Sequence, residues 1–319
     1  MKNKRMLRFL SFAGLFSSML LTSCADMFEE RCPANNLINF VYLNENNKDE
    51  TALMLAQVTD YIFDADSILY RVDSKIQGTR IQSRAIDLPD GQWRVLSLAN
   101  AHINSQLSPY TVGKTHMRDF FLEVISKDLL KDSEPDYIGN SENLYFSALK
   151  LEVKNGLPKQ RPTGYYTPVH AQLTVFVTWA DKEDKATEDQ KLAAVLRTVA
   201  GGCKFISQEK TDAAYKIPYS VPFPLLREKQ QRVPLYPSDE AFRFDVVSMR
   251  FETGKAPHLQ LMNGTVPLTK SLDLNRFFEA NNIDLSNTRI QNFRLSVRIE
   301  KFKVVISPID ILAWDVEYI

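Results

Sequence analysis

The sequence predicts an all-β protein made of two antiparallel β-sandwiches in tandem, with one or two short helices. Three observations carry that prediction. Short runs of β-forming residues recur along the chain, separated by corners rich in Pro, Gly, Asp and Asn, the punctuation of an antiparallel fold. The clearest run places Ala171, Leu173, Val175, Val177 and Trp179 on one side and Gln172, Thr174, Phe176 and Thr178 on the other, the period of a strand with one face on a core. A chain of 319 residues with 44% hydrophobic and 11% aromatic residues has the length for two domains, each able to bury its own core.

Residues 1–23 begin with the cations Lys2, Lys4, Arg5 and Arg8, continue through an apolar run and end at Leu21-Thr22-Ser23, directly before Cys24. This is the pattern of a lipoprotein signal peptide, cut so that Cys24 becomes the acylated N-terminus; an ordinary secretory leader is the alternative. The apolar run is short of the about 20 residues that a spanning helix requires. At about 0.8 kcal/mol per buried CH₂, two or three long acyl chains hold a protein to a membrane almost irreversibly. Residues 24–36 are acidic, patternless and interrupted by Pro33, a tether that reaches roughly 45 Å at about 3.5 Å per residue.

The first sandwich is expected over residues 37–156. Residues 37–43 read as a strand covered on both sides. Residues 58–64 and 68–72 flank the corner Asp64-Ala65-Asp66-Ser67, and residues 86–88 and 93–98 flank Pro89-Asp90-Gly91, two hairpins built on turn-forming residues. Phe120, Phe121, Val124, Ile125 and Leu129 fall at helical spacing, so residues 119–130 are expected to form a helix. Residues 144–153 return to strand character. The Pro- and Gly-rich residues 157–168 are the expected boundary.

The second sandwich is expected over residues 157–319. After the strand 171–179, Thr187 with Gln190 resembles a capping box, and Leu192, Val195, Leu196 and Val199 form a stripe that Gly201 can end, which predicts a second helix. Four prolines in residues 217–234 predict a looped crossing. Residues 241–251, the flanks of Asn263-Gly264, residues 293–306 and residues 309–318 read as further strands.

Charge and chemistry exclude more than they assign. With residues 1–23 removed, the four basic groups they carry leave 39 acids against the rest of the 39 bases, a formal charge of −4. That balance argues against a nucleic-acid partner, which needs a clustered basic footprint. Cys32 and Cys203 remain as thiols in a compartment that permits disulfides; they either pair or stand as two separate thiols, since sequence does not show that the sites are close. His102, His116, His170 and His258 are scattered without ligand spacing, so no metal is expected. Gly113-Lys114-Thr115 has Ser108 where a phosphate loop needs Gly. Asp64 and Asp66 fit a polar corner better than a calcium site. No catalytic constellation and no cofactor motif is found. Trp93, Trp179 and Trp314 lie on β runs, where core packing is favoured over an exposed sugar platform. Asp66-Ser67-Ile68 also has the form of a bacterial O-glycosylation acceptor.

Taken together, the acylated Cys24, the acidic spacer with Cys32-Pro33, the strand at residues 38–42, the strand ending in Phe63-Asp64-Ala65-Asp66, residues 88–100 (LPDGQWRVLSLAN) and residues 306–319 (ISPIDILAWDVEYI) resemble the FimB-type fimbrial anchor lipoproteins, the minor fimbrium subunit family. The resemblance runs in order over most of the chain after residue 23. Where that family more often carries Tyr and a second Trp, this chain has Trp93 and Leu98, an exchange of packing residues. The resemblance implies two transthyretin-like (Ig-like) sandwiches held in the outer membrane at the base of a pilus polymerised by strand donation. It implies a non-enzymatic role, with a pilus stalk subunit as partner, recognised when its strand fills a gap in a sandwich. Because the sequence ends within a strand-like run, the chain is expected to accept a strand and not to pass one on; which strand is missing, and hence the donor-strand groove, is unknown. Asp26, Glu29 and Glu30 resemble a surface-export signal for lipoproteins. A surface glycan-binding lipoprotein is the alternative function.

Overall fold

A computed structural model of the chain describes residues 37–125, 137–155, 157–158, 162–180, 192–212, 217–238, 241–285, 289–300 and 304–309. The expected signal peptide, Cys24, the expected tether with Cys32, residues 126–130 of the expected helix, the capping box expected at Thr187 and the strand expected beyond residue 309 lie outside the described residues.

The first half supplies β1 (Leu37–Val41), β2 (Val58–Phe63), β3 (Leu69–Ile76), β4 (Ser83–Ala85), β5 (Gly91–Ala99), β6 (Ser105–Leu107), β7 (Phe121–Val124), β8 (Tyr137–Ile138) and β9 (Tyr145–Lys154). The short strands β10 (Leu157–Pro158), β11 (Thr163–Tyr165) and β12 (Thr167–Pro168) lead into β13 (His170–Trp179). Then come β14 (Leu192–Asp212), β15 (Ile217–Pro234), β16 (Tyr236–Ser238), β17 (Ala241–Met249), β18 (His258–Asn263), β19 (Val266–Pro267), β20 (Leu272–Asp273), β21 (Gln291–Ile299) and β22 (Val304–Pro308). Two short α-helices accompany them, α1 (Thr51–Met54) and α2 (Leu274–Ala280). The fold is therefore all-β, as the sequence predicts.

Four sheets result. A small lid sheet runs β11-β1-β4, a central sheet β10-β9-β5-β2-β3, a shared sheet β19-β18-β14-β15-β8, and a distal sheet β16-β17-β13-β21-β22. The central sheet is buried on both faces. Val58, Ile62, Val95, Ala99 and Tyr145 face the lid sheet and its Ile38 and Phe40, while Tyr61, Phe63, Leu96, Leu98 and Phe146 face the larger core. This two-sided burial explains the nearly unbroken apolar runs at residues 61–63 and 95–99. Gly164 on β11 makes room for the lid, since a Cβ there would lie 2.7 Å from the Phe40 ring.

The shared sheet joins the two halves. β6 and β7 pair with each other, and β7 pairs with β14 at Gly202–Lys204. Phe120 packs against Phe205, whose ring also meets Phe146 of the central sheet. The larger core is continuous from Tyr61 to Val297. In the distal sheet Leu173, Val175 and Val177 face that core with Phe244, Val246, Phe293 and Leu295, as the alternation at residues 171–179 predicts.

Several expected elements differ. Residues 117–119 form a single 3₁₀ turn and residues 121–124 a strand, in place of a helix from residue 119. Phe120, Leu122 and Val124 are buried together, and a short apolar run fits either period until a neighbouring strand decides it. Residues 192–212 form one long strand and not a helix. Leu192, Ala193, Ala194, Val195 and Leu196 are all buried, a pattern that a strand covered on both faces satisfies and a helix stripe does not. The apparent helical spacing is broken at a bulge between Leu196 and Val199, where Thr198 has φ of 62°.

Residues 86–88 do not form a hairpin with β5, whose partners are β2 and β9. Ile86 and Leu88 are buried in the crossing from β4, and the Trp93 Nε1–H donates to the Pro89 carbonyl at 3.0 Å. Residues 217–234 are a continuous strand paired along β14, not a loop. Pro218, Pro222 and Pro224 share one parity on this strand, as edge positions allow, and a bulge on β14, where Phe205 and Ile206 both face Phe223, falls between the last two. The single strand expected over residues 293–306 is the pair β21 and β22. Helix α2 was not expected; Asp273 caps it by accepting from Asn275 N and Arg276 N, and Phe278 packs on Phe293.

A buried polar cluster ties the lid to the central sheet. Arg84 Nε lies 3.3 Å from Asp60 Oδ2, and both side chains are almost wholly buried. Arg84 Nη2 donates to the Tyr166 hydroxyl at 2.6 Å, and Ser97 Oγ donates to Asp60 Oδ1 at 2.6 Å. With its proton on Asp60, Ser97 Oγ accepts from Tyr166, also at 2.6 Å. The guanidinium covers the Phe40 ring at 4.0 Å.

Candidate functional site

Sheet edges are where unpaired backbone groups can receive another chain. The edge at β3 is blunted by charge. Arg71 Nη2 reaches Asp73 at 2.9 Å and Arg71 Nη1 donates to the Asp87 carbonyl at 2.8 Å. Lys75 adds a left-handed residue with φ of 56°, and Leu69 is already bonded to Gly113 and Thr115.

The β17 side of the distal sheet is closed by amide side chains. Asn140 Oδ1 accepts from Val247 N at 3.1 Å, Asn140 Nδ2 donates to the Asp245 carbonyl at 3.0 Å, and Ser141 N donates to the Val247 carbonyl at 2.9 Å. Gln231, wholly buried, reaches from β15 to the Gly139 and Val247 carbonyls and to Asn140. These contacts tie β15 of the shared sheet to β17 of the distal sheet and occupy backbone groups of β17 at Asp245 and Val247.

The opposite edge differs. β22 pairs with β21 from Val304 to Pro308 and ends the sheet order. Its residues Val304, Val305, Ile306 and Ser307 carry no charge and Pro308 ends it, so charge does not guard this edge. Val304 and Ile306 are half-buried against the core, and Val305 is exposed. Among the described residues β22 is an uncharged edge strand, as is β15 over residues 217–226 on the side away from β14, and β22 is the candidate strand-docking site taken here, which sequence reading could not place.

The other residues weighed from sequence fall into structural roles. Cys203 is wholly buried and has no disulfide partner among the described residues, and burial alone pushes its thiol up to about 12; Cys32, its partner in the expected alternative, lies outside the described residues. His170 is buried and accepts a tautomer with Nδ1–H donating to the Leu144 carbonyl at 2.8 Å. Burial lowers it to about 4, with Arg250 pushing the same way, so the ring is neutral at physiological pH. Asp64 accepts from Ile68 N at 2.8 Å in the β2–β3 turn. Among the described residues no group of three His, Cys, Asp or Glu side chains could hold a metal, and no helix is long and apolar enough to cross a membrane. Trp93 is buried, Trp179 packs edge-on against Phe242, and Trp314 lies outside the described residues.

Residues 29–167 match the family described as fimbrillin-A associated anchor proteins Mfa1 and Mfa2. No curated protein matches the sequence significantly. Among solved structures, the fold is similar to that of the fimbrial anchor protein Mfa2 from Porphyromonas gingivalis, with 15% identity, a TM-score of 0.60, and coverage of 85% of this chain and 94% of that one. It is also similar to a candidate polysaccharide-binding protein from Bacteroides thetaiotaomicron, with 14% identity, a TM-score of 0.65, and coverage of 86% and 98%. A candidate adhesin from Bacteroides ovatus shares 13% identity at a TM-score of 0.61, with coverage of 86% and 94%. The resemblance read from the sequence, to a fimbrial anchor family, is borne out. The fold is that of fimbrial anchor and adhesin proteins, and the matched family is one of structural proteins and not of enzymes.

Proposed function

We propose that this chain, matching the fimbrial-anchor family over residues 29–167, is a lipid-anchored outer-membrane protein that seats the first subunit of a fimbrium. The family match is the observation that carries the reading. Acylated Cys24 fixes one end to the membrane, residues 24–36 hold the body away from it, and Asp26, Glu29 and Glu30 direct it to the cell surface. Two modules, residues 37–156 and 157–319, form the body, with the β6–β7 hairpin of the first paired to β14 of the second. The stalk subunit adds a strand along β22, where main-chain hydrogen bonds supply affinity and alternate side chains set register.

Changing Cys24 to Ala is expected to release nearly all fibres into the medium as long, detached filaments, because the acyl chains on Cys24 supply the proposed membrane attachment. Fractionation of cells and medium checks this; fibres that stay attached overturn the lipid-anchor reading. The docking edge has its own test. Val305→Lys with Ser307→Lys places two charges on β22, as natural edges do, and at exposed sites should change stability by less than about 1 kcal/mol. Fibres should detach although the variant remains lipidated and folded. Normal retention places the strand contact elsewhere.

A further inference from the structure

The strand through which the chain enters the body has a defined direction relative to the second module. β1 begins at Leu37, directly after residues 24–36. It lies between two partners, antiparallel to β4 over Leu37–Asn39 and parallel to β11 over Asn39–Val41. β11 ends at Tyr165, and β13 of the second module begins at His170. Just past the C-terminal end of β1, the Asn44 carbonyl accepts from Arg289 Nη2 at 2.7 Å. The second module therefore lies off the C-terminal end of β1, while the chain enters at its N-terminal end, and a pull between the two runs along the strand.

We propose that β1 with its neighbours β4 and β11 is the force-bearing clamp of this protein, strained in shear when a seated fibre pulls against the membrane anchor. The point where tension enters rests on the anchor reading; the geometry of the clamp does not. Ladder hydrogen bonds cross between strands, so a pull along β1 strains them together, whereas a pull across it would break them one at a time. Asn39 N donates to the Pro162 carbonyl at 3.2 Å, Phe40 N to the Gln82 carbonyl at 2.8 Å and Tyr166 N to the Val41 carbonyl at 2.8 Å. Tyr42 N adds a bond to Thr51 Oγ1 at 2.7 Å. Side chains resist sliding as well. Ile38, Phe40 and Tyr42 are buried, and a slip of one residue would turn them outward. Phe40 is seated between Gly164 and the Arg84 guanidinium, and Arg84 is bonded in turn to Tyr166, the residue after β11. β13 is twice as long, ten residues against five, and is paired on both sides, so β1 is the shorter ladder on the path and yields first. Resistance to such a pull is set by the barrier to unfolding and not by equilibrium stability.

Optical-trap pulling on the purified chain from residue 24, unacylated and carrying Cys32→Ser, tests the proposal. One handle is attached through an azide-bearing side chain at position 24. The other is placed either at Ala180, just past β13, or at Thr163, at the start of β11; both positions are exposed. The first pair pulls along β1. The second separates the starts of two parallel strands and so unzips them. At equal pulling speed the first pair should rupture at about twice the force of the second or more, the barrier and not the stability being what differs. Asn39 and Thr163 are exposed register partners, and Asn39→Cys with Thr163→Cys should form a disulfide across the about 4.8 Å between strands. Oxidised, it should raise the rupture force of the Ala180 pair, and reduction should restore the original value. Equal forces in the two directions overturn the proposal. So does a force that the disulfide leaves unchanged, which puts the weakest ladder elsewhere. No lipid takes part in these measurements, so their failure is distinct from a failure of the anchor reading, which Cys24→Ala tests on cells.

Discussion

Gly202→Val should destabilise the chain by about 3 kcal/mol or more, the upper end of overpacking effects. Gly202 lies on β14 opposite Glu123 of β7, and a Cβ at this position would collide with the carbonyl oxygen of Leu122. The obstacle is backbone, so no rotamer change relieves it. Either β7 leaves the sheet, exposing the wholly buried Phe120 and Leu122, or β14 shifts and breaks its register with β18 and β15. Each apolar side chain uncovered costs about 1.5–3 kcal/mol. Thermal unfolding should fall by about 6–12 °C, and hydrogen exchange should accelerate first in residues 105–124. Gly113→Ala is the comparison: that residue has φ of +78° with open space around its missing Cβ, and the strain there should cost only about 1–2 kcal/mol. Near-wild-type stability of Gly202→Val would falsify the close β7–β14 approach.

The same residue shows where sequence reading stops. Gly201 and Gly202 follow an apolar run, and as local signals they end a helix as naturally as they admit a close strand crossing. What decides between them is β7, more than 70 residues earlier in the sequence. Residues 119–125 differ from expectation for the same reason, because their helical period is overruled by pairing partners absent from the window. By contrast, residues 171–179 and the β2–β3 corner were legible. Their signals are local: alternation fixes the face, and Asp64 with Ser67, in a left-handed conformation of φ 63°, fixes the turn.

The interaction surfaces were less legible than the fold. An open edge such as β22 is defined by which strands do not pair, and only topology states that. Of the tryptophans weighed as sugar platforms, Trp93 is enclosed and Trp179 packs on Phe242, as the favoured core reading has it, while Trp314 lies outside the described residues. Asp60 was hidden inside an apolar strand. Charge within such a run was a sign of a buried cluster, and Arg84 and Tyr166 could be assigned to it only through the lid sheet.

Arg84→Met should cost about 3–5 kcal/mol at neutral pH, because it leaves Asp60 as a buried carboxylate without its counter-charge. Burial already raises Asp60 above the ordinary carboxylate range, against the pull of Arg84 and the Ser97 hydroxyl. Without Arg84 the carboxyl should rise further. A carboxyl whose folded pKa exceeds its unfolded value contributes stability that is fully present below the unfolded value and is lost as pH rises through the folded one. The variant's deficit relative to the parent should therefore shrink as pH is lowered from about 7 toward about 4, the ordinary carboxylate value. Urea unfolding at several pH values checks this. Replacing both partners, Asp60→Leu with Arg84→Met, should recover most of the loss, since Ser97 and Tyr166 still bond to each other at 2.6 Å and no charge is left buried. A deficit independent of pH, or a double variant as unstable as the single one, would mean that Arg84 acts through its packing on Phe40 and not through its charge.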